Sequence, residues 1–571
     1  MKRLLKYLKG YEKETILAPL FKMLEATFEL IVPLVVAGIV DVGIKNRDTE
    51  YIWRACILMV ALGLIGLVCS LTAQYFSARA AMGFSTGLRK DMFSHIGRLS
   101  YKELDRLGTP TLITRITSDI NQAQAGVNLV LRLFLRSPFI VAGAVVMAFT
   151  INVKVAVIFV VAVPLISVVL YAIMKWTVPI YKKVQASLDK ISLLTRENHV
   201  GVRVVRAFGR QKEEMAAFSE TNNEYTKTQI TAGKISALLN PATCVIMNFA
   251  VMGILWLGGK EVNSGNLTQG DVVALVNYMS QILIALVALA NLIVAVTKAL
   301  ASAGRINEVF DTLPGLTDEG AKEQAVRAGA PAVEFSDVTF TYEDAKAPSL
   351  SHISFQVMPG ETVGIIGGTG CGKSTLVNVQ EGEVRVNGNP VKNYPFSQLR
   401  RKVGMVPQQA VLFKGTIREN MRWGKEDASE KEIFHALSVA QAEEFVRKKP
   451  EGLNTMISQG GTNLSGGQRQ RLTIARALVG EPEILILDDS ASALDFATDA
   501  ALRRAIRKET GKMTVFLVSQ RASSVRQADK ILVLDDGELA GVGTHQQLFE
   551  SCQVYREICL SQLSEEEVEG R

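Results

Sequence analysis

Six stretches of this chain are long and apolar enough to cross a lipid bilayer, and no other feature constrains its fold as much. They fall near residues 16–44, 55–80, 129–151, 153–177, 236–258 and 271–299. About 20 apolar residues suffice for a hydrocarbon core. The connections between them alternate in length. Stretches one and two, three and four, and five and six are joined by short links (Lys45–Arg54, Ile151–Lys154, Gly259–Gly270), whereas the other two connections run to about fifty residues each, rich in Lys and Arg with helical periodicity. Basic flanks such as Arg89-Lys90 and Lys182-Lys183, and the basic N-terminus, favour the cytoplasm. Both long connections and both termini are therefore expected inside, the connections as helices that continue beyond the bilayer and turn at Tyr101–Ile113 and Asn198–Arg210.

Charge and cysteine usage exclude several classes. The net charge of +7 is modest and, in a chain with six spans, fits cytoplasmic loops rather than a nucleic-acid surface. Cys56, Cys69, Cys244, Cys371, Cys552 and Cys559 show no paired or CxxC spacing, so neither disulfides nor a zinc site are expected. Met1–Tyr7 is basic and amphipathic and lacks a small-residue cleavage site, which reads as an interfacial helix. Polar residues inside the spans have two readings, a polar cavity or pairing within the bundle. They are Lys22, Glu25, Glu29, Arg132, Arg136, Asn240, Asn248, Asn277, Gln281 and Asn291.

Past a charged linker the pattern changes to short β-rich runs alternating with helices: Val333–Phe340, Glu361–Ile366, Lys402–Val406, Ile484–Asp488, Thr514–Ser519 and Lys530–Asp535. The expected fold is thus a membrane all-α domain of six helices with long cytoplasmic extensions (1–305), a linker (306–330) and an α/β P-loop nucleotide-binding domain built on a largely parallel sheet (331–571).

Gly367-Gly368-Thr369-Gly370-Cys371-Gly372-Lys373-Ser374-Thr375 contains G-x-x-x-x-G-K-[ST] directly after an apolar strand and before a helix-forming stretch, the context this motif requires. Its glycines let backbone N–H groups converge on phosphates at a helix N-terminus. Lys373 would neutralise the β- and γ-phosphates of ATP, and the Ser374 hydroxyl would ligate Mg2+. Ile484–Asp488 is an apolar strand ending in a carboxylate. Alone that is a common pattern, but ordered behind the P-loop it marks Asp488 as a second Mg2+ ligand.

With these residues in hand, the whole chain resembles the ATP-binding cassette family, six spans followed by one cassette being similar to an exporter half-transporter. Asn463-Leu464-Ser465-Gly466-Gly467-Gln468 looks like the family's signature motif. Gln408 resembles the Q-loop glutamine that senses Mg2+, Ser492-Ala493-Leu494-Asp495 resembles the D-loop, and Tyr342 resembles the aromatic that stacks on adenine. The resemblance implies a working unit of two halves, with each ATP held between the P-loop of one cassette and Leu464–Gln468 and Asp495 of the other. It also makes the tips at Tyr101–Ile113 and Asn198–Arg210 candidate coupling helices that dock on the cassettes. A soluble ATPase of the DNA-repair type shares the cassette motifs, but six spans exclude it, and no oxidoreductase or hydrolase motif is present.

Two positions depart from the family pattern. Where the family has a catalytic Glu, this chain has Asp489, and where it has a switch His, this chain has Gln520. Retracting a carboxylate by roughly 1.5 Å can lower a rate on the order of 100-fold, and glutamine hydrogen-bonds but cannot act as an imidazole. Both substitutions fall on hydrolysis while the binding motifs are intact. The pattern resembles the degenerate-site subunit of bacterial heterodimeric multidrug exporters, which implies a site that holds ATP, a second, competent half as partner, and an amphiphilic small molecule or lipid as substrate. A slow homodimeric lipid or peptide exporter and a mainly regulatory ATP-binding subunit are the alternatives. Localisation in a bacterial inner membrane, cassette inside, goes with this resemblance.

The interval after the P-loop is short. Ser374–Val379 alone separate it from Gln380-Glu381-Gly382 and the strand that follows, too few residues for a stable helix of the family's usual length. Either the chain carries a deletion there or residues are missing from its sequence, and the second reading is favoured.

Overall fold

The computed structural model describes residues 2–315, 321–342, 345–378, 383–490, 493–509 and 513–562. The chain forms two compact units, Met1–Leu316 and Thr317–Arg571.

The first unit is helical throughout. A short 3-10 segment, Lys2–Leu8, precedes α1 (Glu12–Gly38), which ends in a wider π-helical turn at Ile39–Ile44. Then follow α2 (Thr49–Ile96), α3 (Tyr101–Leu107), α4 (Thr109–Thr114), α5 (Ile120–Leu133), α6 (Arg136–Ile151), α7 (Val153–Ala207), α8 (Gln211–Ala237), α9 (Leu239–Asn263) and α10 (Gln269–Asp311). Six of the resulting rods are long and apolar enough to cross a membrane. Along α2 the large side chains Trp53, Ile57, Val60, Leu64, Val68 and Leu71 are exposed. Their spacing of three to four residues makes one outward apolar stripe. Water would penalise such a stripe, whereas lipid accepts it.

Alanines such as Ala18, Ala26, Ala144 and Ala148 are fully buried in the bundle, and α5 and α10 approach so closely at Gly126 that a Cβ there would collide with the Ala299 side chain. Tyr278 is fully buried and donates its hydroxyl to Leu30 O at 2.7 Å, tying α10 to α1. Lys22, Glu25, Glu29 and Arg136 pair with one another, whereas Arg132 Nε is buried without a hydrogen-bond partner among the described residues. Lys22 Nζ donates to Glu25 at 2.6 Å and to Ser70 Oγ at 3.0 Å, and Arg136 reaches Glu29 at 2.7 Å. Asn240, Asn248, Asn277 and Asn291 instead face away from this unit's core. The two expected tips are real breaks in the rods. Gly108, at φ +74°, separates α3 from α4, and Phe208–Arg210, with Gly209 at φ +67°, turns α7 into α8. α10 continues to Asp311, past the expected start of the linker at 306.

The second unit begins with β1 (Val333–Phe340), β2 (Leu350–Val357) and β3 (Thr362–Gly367), followed by α11 (Lys373–Asn378), β4 (Glu383–Val386) and β5 (Asn389–Pro390). Next come α12 (Phe396–Lys402), β6 (Val403–Val406), β7 (Gly415–Thr416), α13 (Ile417–Arg422), α14 (Glu430–Val439), α15 (Glu443–Arg447) and β8 (Met456–Ile457). The remainder comprises α16 (Gly466–Val479), β9 (Ile484–Asp488), α17 (Phe496–Glu509), β10 (Thr514–Val518), α18 (Ala522–Val525), β11 (Lys530–Asp535), β12 (Glu538–Gly543), α19 (His545–Ser551) and α20 (Gln553–Gln562). A six-stranded sheet runs in the order β12-β11-β3-β10-β9-β6, parallel except for the β11–β12 hairpin. A second, antiparallel sheet, β2-β1-β4-β5, packs its Val338, Ile353 and Phe355 against Val363 and Ile365 of β3. That second sheet was not expected. β2 alternates buried and exposed residues, a weaker signal than the continuous apolar runs of the parallel strands. Among the described residues the helix after the P-loop is six residues long, Lys373–Asn378; Val379, which ends the short interval, and the Gln380-Glu381-Gly382 after it lie outside the described residues.

Candidate nucleotide site

Strand register gathers the site. β10 lies between β3 and β9, with Val518 opposite both Ile365 and Asp488, and Leu534 of β11 stands opposite Gly367. Parallel strands end at one edge of the sheet, so the P-loop after β3, Asp488-Asp489 after β9 and Gln520 after β10 emerge together, as ligand-binding loops do in open α/β sheets.

The P-loop turns on Gly370 (φ +85°) and Gly372 (φ +94°), a region L-residues rarely adopt. At Gly372 a Cβ would also meet Ser349 O at 2.7 Å. Lys373 is buried, and its Nζ donates to Gly367 O at 3.0 Å and Gly368 O at 2.5 Å, inside the loop it would serve. Cys371 packs beneath with 4% exposure. Ser374 Oγ donates to Asp488 Oδ1 at 3.1 Å, and burial pushes the Asp488 carboxyl above the usual carboxylate range, with the Ser374 hydrogen bond opposing and Asp489 adding to the rise.

Asp489 sits at φ +43°, its N–H held by Val518 O at 3.0 Å. Burial raises its pKa too, against the pull of Lys373. Gln408 Nε2 reaches Asp489 Oδ2 at 3.5 Å, and Thr369 Oγ1 faces Gln520 Oε1 at 3.5 Å. Tyr342 is half exposed, its hydroxyl 3.2 Å from Thr375 Oγ1 and its ring edge-on to Phe340.

A cavity of about 570 Å3 joins Tyr342, the P-loop, Gln408, Asp488, Asp489 and Gln520. Its dimensions and donors suit a nucleoside triphosphate: an open half-exposed ring at one end, a lysine with converging backbone N–H groups in the middle, and a hydroxyl beside a carboxylate at the far end. Among the described residues no group of three or more His, Cys, Asp or Glu could hold a metal alone. Ser374 and Asp488, with Gln408 at the rim, would hold Mg2+ only as part of a phosphate complex. The ion would neutralise phosphate charge there, while the chain's own groups bind and orient.

The cavity also takes in Ser349 and the Asp536-Gly537 turn, which sequence reasoning missed. Asp536 and Gly537 both have positive φ, and Asp-Gly between apolar runs is a hairpin signal. Nothing in the sequence places that hairpin on the P-loop, although Ser351 N–H donates to Gly537 O at 2.8 Å.

Leu464–Gln468 and Asp495 stand apart from this cavity. Ser465 caps α16, its hydroxyl accepting from Gln468 N–H while Gln468 Oε1 accepts from Ser465 N–H at 3.2 Å. A Cβ at Gly467 would lie 3.3 Å from Ala493 O, so the helix start rests on the segment leading to Asp495. The Thr498 N–H at 2.8 Å, then its hydroxyl, hold the Asp495 carboxyl below its ordinary range. Ser492 lies outside the described residues.

Residues 15–287 match the family described as the ABC transporter transmembrane region, and residues 350–492 match the ABC transporter family. The chain is 35% identical over 573 residues to the uncharacterized ABC transporter ATP-binding protein YfiB of Bacillus subtilis, covering 99% of each. It is 30% identical to an ATP-dependent lipid A-core flippase of Chromobacterium violaceum, covering 99% of this chain and 97% of that one. A solved bacterial Atm1-family ABC exporter with ATP bound superimposes with a TM-score of 0.81 at 25% identity, covering 97% of this chain and 99% of that one.

Proposed function

We propose, from the premise that this chain belongs to the ABC transporter family and is an ATP-driven exporter half with six spans and one cassette, that its own nucleotide site binds ATP and hydrolyses it slowly. The observation that carries this reading is the pair at the rim of the cavity: the short Asp489 side chain within reach of Gln408, and Gln520 at the switch position facing Thr369. Binding groups are complete, while both groups that would activate water are replaced. In a two-half assembly, Leu464–Gln468 and Asp495 of this chain would complete the partner's site, and a partner with Glu and His at these positions would supply turnover. ATP held here acts as a clamp. The partner's hydrolysis resets the pair, and the bundle rocks between inward- and outward-open states. The tips around Gly108 and Gly209 would transmit that motion as coupling helices.

The substrate proposed is a lipid or another amphiphile, and the location a bacterial inner membrane with the cassette in the cytoplasm. A second reading, a homodimeric lipid exporter with slow turnover, is favoured by the likeness to the lipid A-core flippase. ATPase measurement on the purified chain separates them. Near-zero activity rescued by a distinct co-purifying half supports the clamp, and robust activity alone sinks it.

A further inference from the structure

The switch segment after β10 is pinned from two sides by helices that carry no part of the nucleotide cavity. On one side, Arg503 of α17 donates through Nη1 to Ser523 O at 2.7 Å. On the other, Gln562, in the last described turn of α20, accepts from Ala522 N–H with Oε1 at 2.9 Å and donates with Nε2 to Gln520 O at 2.8 Å. One amide side chain thus closes a two-point bridge across the backbone on either side of Arg521. The segment is further fixed by Ser519 N–H to Ile365 O and by Arg521 N–H to Ser519 Oγ, both at 3.0 Å.

The helix that carries Gln562 is itself anchored. Tyr555 and Cys559 of α20 are fully buried, in one cluster with Ala522 and Val525 of α18 and with Ile366 at the end of the P-loop strand. α20 therefore packs on α18 and β3, the elements that flank the two loops whose side chains, Gln520 and Thr369, meet at the cavity. An amide is the side chain that can do this, because it accepts and donates at once in a planar geometry.

We propose that Gln562 is a positioning residue for this chain's ATP site. Its bridge holds the backbone of 520–522 so that the Gln520 amide stays over the P-loop, where the γ-phosphate of ATP would arrive. The C-terminal helix thereby sets how well the site distinguishes ATP from ADP. This rests on the reading above that Gln520 occupies the switch position. It does not depend on whether the site is slow.

The test is binding of AMP-PNP and of ADP, each with Mg2+, to the full chain reconstituted in lipid. The variants are Gln562→Ala, Gln562→Glu and the control Gln553→Ala, whose amide at the other end of α20 reaches Glu557 at 2.8 Å. Gln562→Glu keeps the acceptor for Ala522 and loses the donor to Gln520, so it decides the matter even if Gln562→Ala loosens the helix. Loss of one or two neutral hydrogen bonds is expected to weaken AMP-PNP binding by about three- to tenfold. ADP binding should hold within about twofold, and the control should match the native chain. Equal losses for both nucleotides would mean a merely structural bridge, and no loss for either would mean an idle one; each overturns the proposal. Robust phosphate release by the native chain would instead overturn only the slow-site reading, leaving the AMP-PNP to ADP ratio as informative as before.

Discussion

Thr369 Oγ1 faces Gln520 Oε1 at 3.5 Å, so the P-loop and the switch segment meet through two uncharged side chains. Neither can take up or deliver a proton near neutral pH, which in the proposed reading separates holding a phosphate from attacking it. Joint replacement, Asp489→Glu with Gln520→His, is therefore expected to raise ATP turnover on the order of 10- to 100-fold, with smaller gains from either alone. Phosphate release by the four proteins, measured side by side, checks the ordering. A single substitution that recovers the full rate would contradict it.

That gain comes with a loss of stability. Asp489 sits at φ +43°, where Asp and Asn are several-fold enriched and longer residues are not. Asp489→Glu is expected to lower the unfolding temperature of the nucleotide-free chain, by about 2–4 °C if the strain is near 1 kcal/mol. Asp489→Asn keeps the tolerated backbone and removes a charge that raises the pKa of Asp488, so it should unfold no earlier than the native chain.

The two raised carboxyls fix a sign for pH. Asp488 and Asp489 both bind protons more tightly in the folded state than in the unfolded one. The folded protein then carries more protons, and stability falls as pH rises through the folded pKa values. Above those values the penalty is complete. Below the ordinary range, near pH 3.9, both states are protonated and the effect vanishes. Thermal unfolding of the nucleotide-free chain against pH should show this slope, flattened in Asp489→Asn. Mg2+-dependent ATP binding should run the other way and weaken on acidification, because ionised Asp488 is what would hold the ion.

The sequence made some of this legible and hid the rest for identifiable reasons. Gly367–Ser374 and Ile484–Asp488 are local signals, a strand running into a glycine turn or a carboxylate, and the register of β3, β9 and β10 brings them together as parallel strands must. The six spans were equally plain, since length and hydropathy alone define them. The bridge from Gln562 to Gln520 was not legible. The two residues are 42 positions apart, a glutamine at a helix end has no distinctive neighbours, and only packing of Tyr555 and Cys559 against α18 brings it there. The antiparallel sheet was hidden for a similar reason, as β1, besides its neighbour β2, pairs with β4 across an interval that contains β3 and the whole P-loop.

In the membrane unit, the charges of span one are a matter of balance. Lys22 is 6% exposed and paired with Glu25, while Arg136 lies 3.9 Å from Glu25 and 2.7 Å from Glu29. Two cations and two anions thus neutralise each other across α1 and α6; Ser70 Oγ of α2 accepts from Lys22, and the Gln281 amide donates to the backbone carbonyl of Glu29 at 3.2 Å. Removing one partner leaves a desolvated charge, which typically costs about 3–5 kcal/mol, whereas an apolar pair of similar volume can be neutral. Lys22→Met alone should therefore lower the unfolding temperature in lipid more than Lys22→Met with Glu25→Leu. If the double variant is the less stable, the cluster contributes by attraction rather than by mutual neutralisation. Arg136 would then have lost a partner it needs, since Glu25 is shared between both cations. Glu29→Gln separates the two explanations: it leaves Lys22–Glu25 intact, so a loss as large as that of Lys22→Met places the weight on Arg136, and a small loss places it on Lys22.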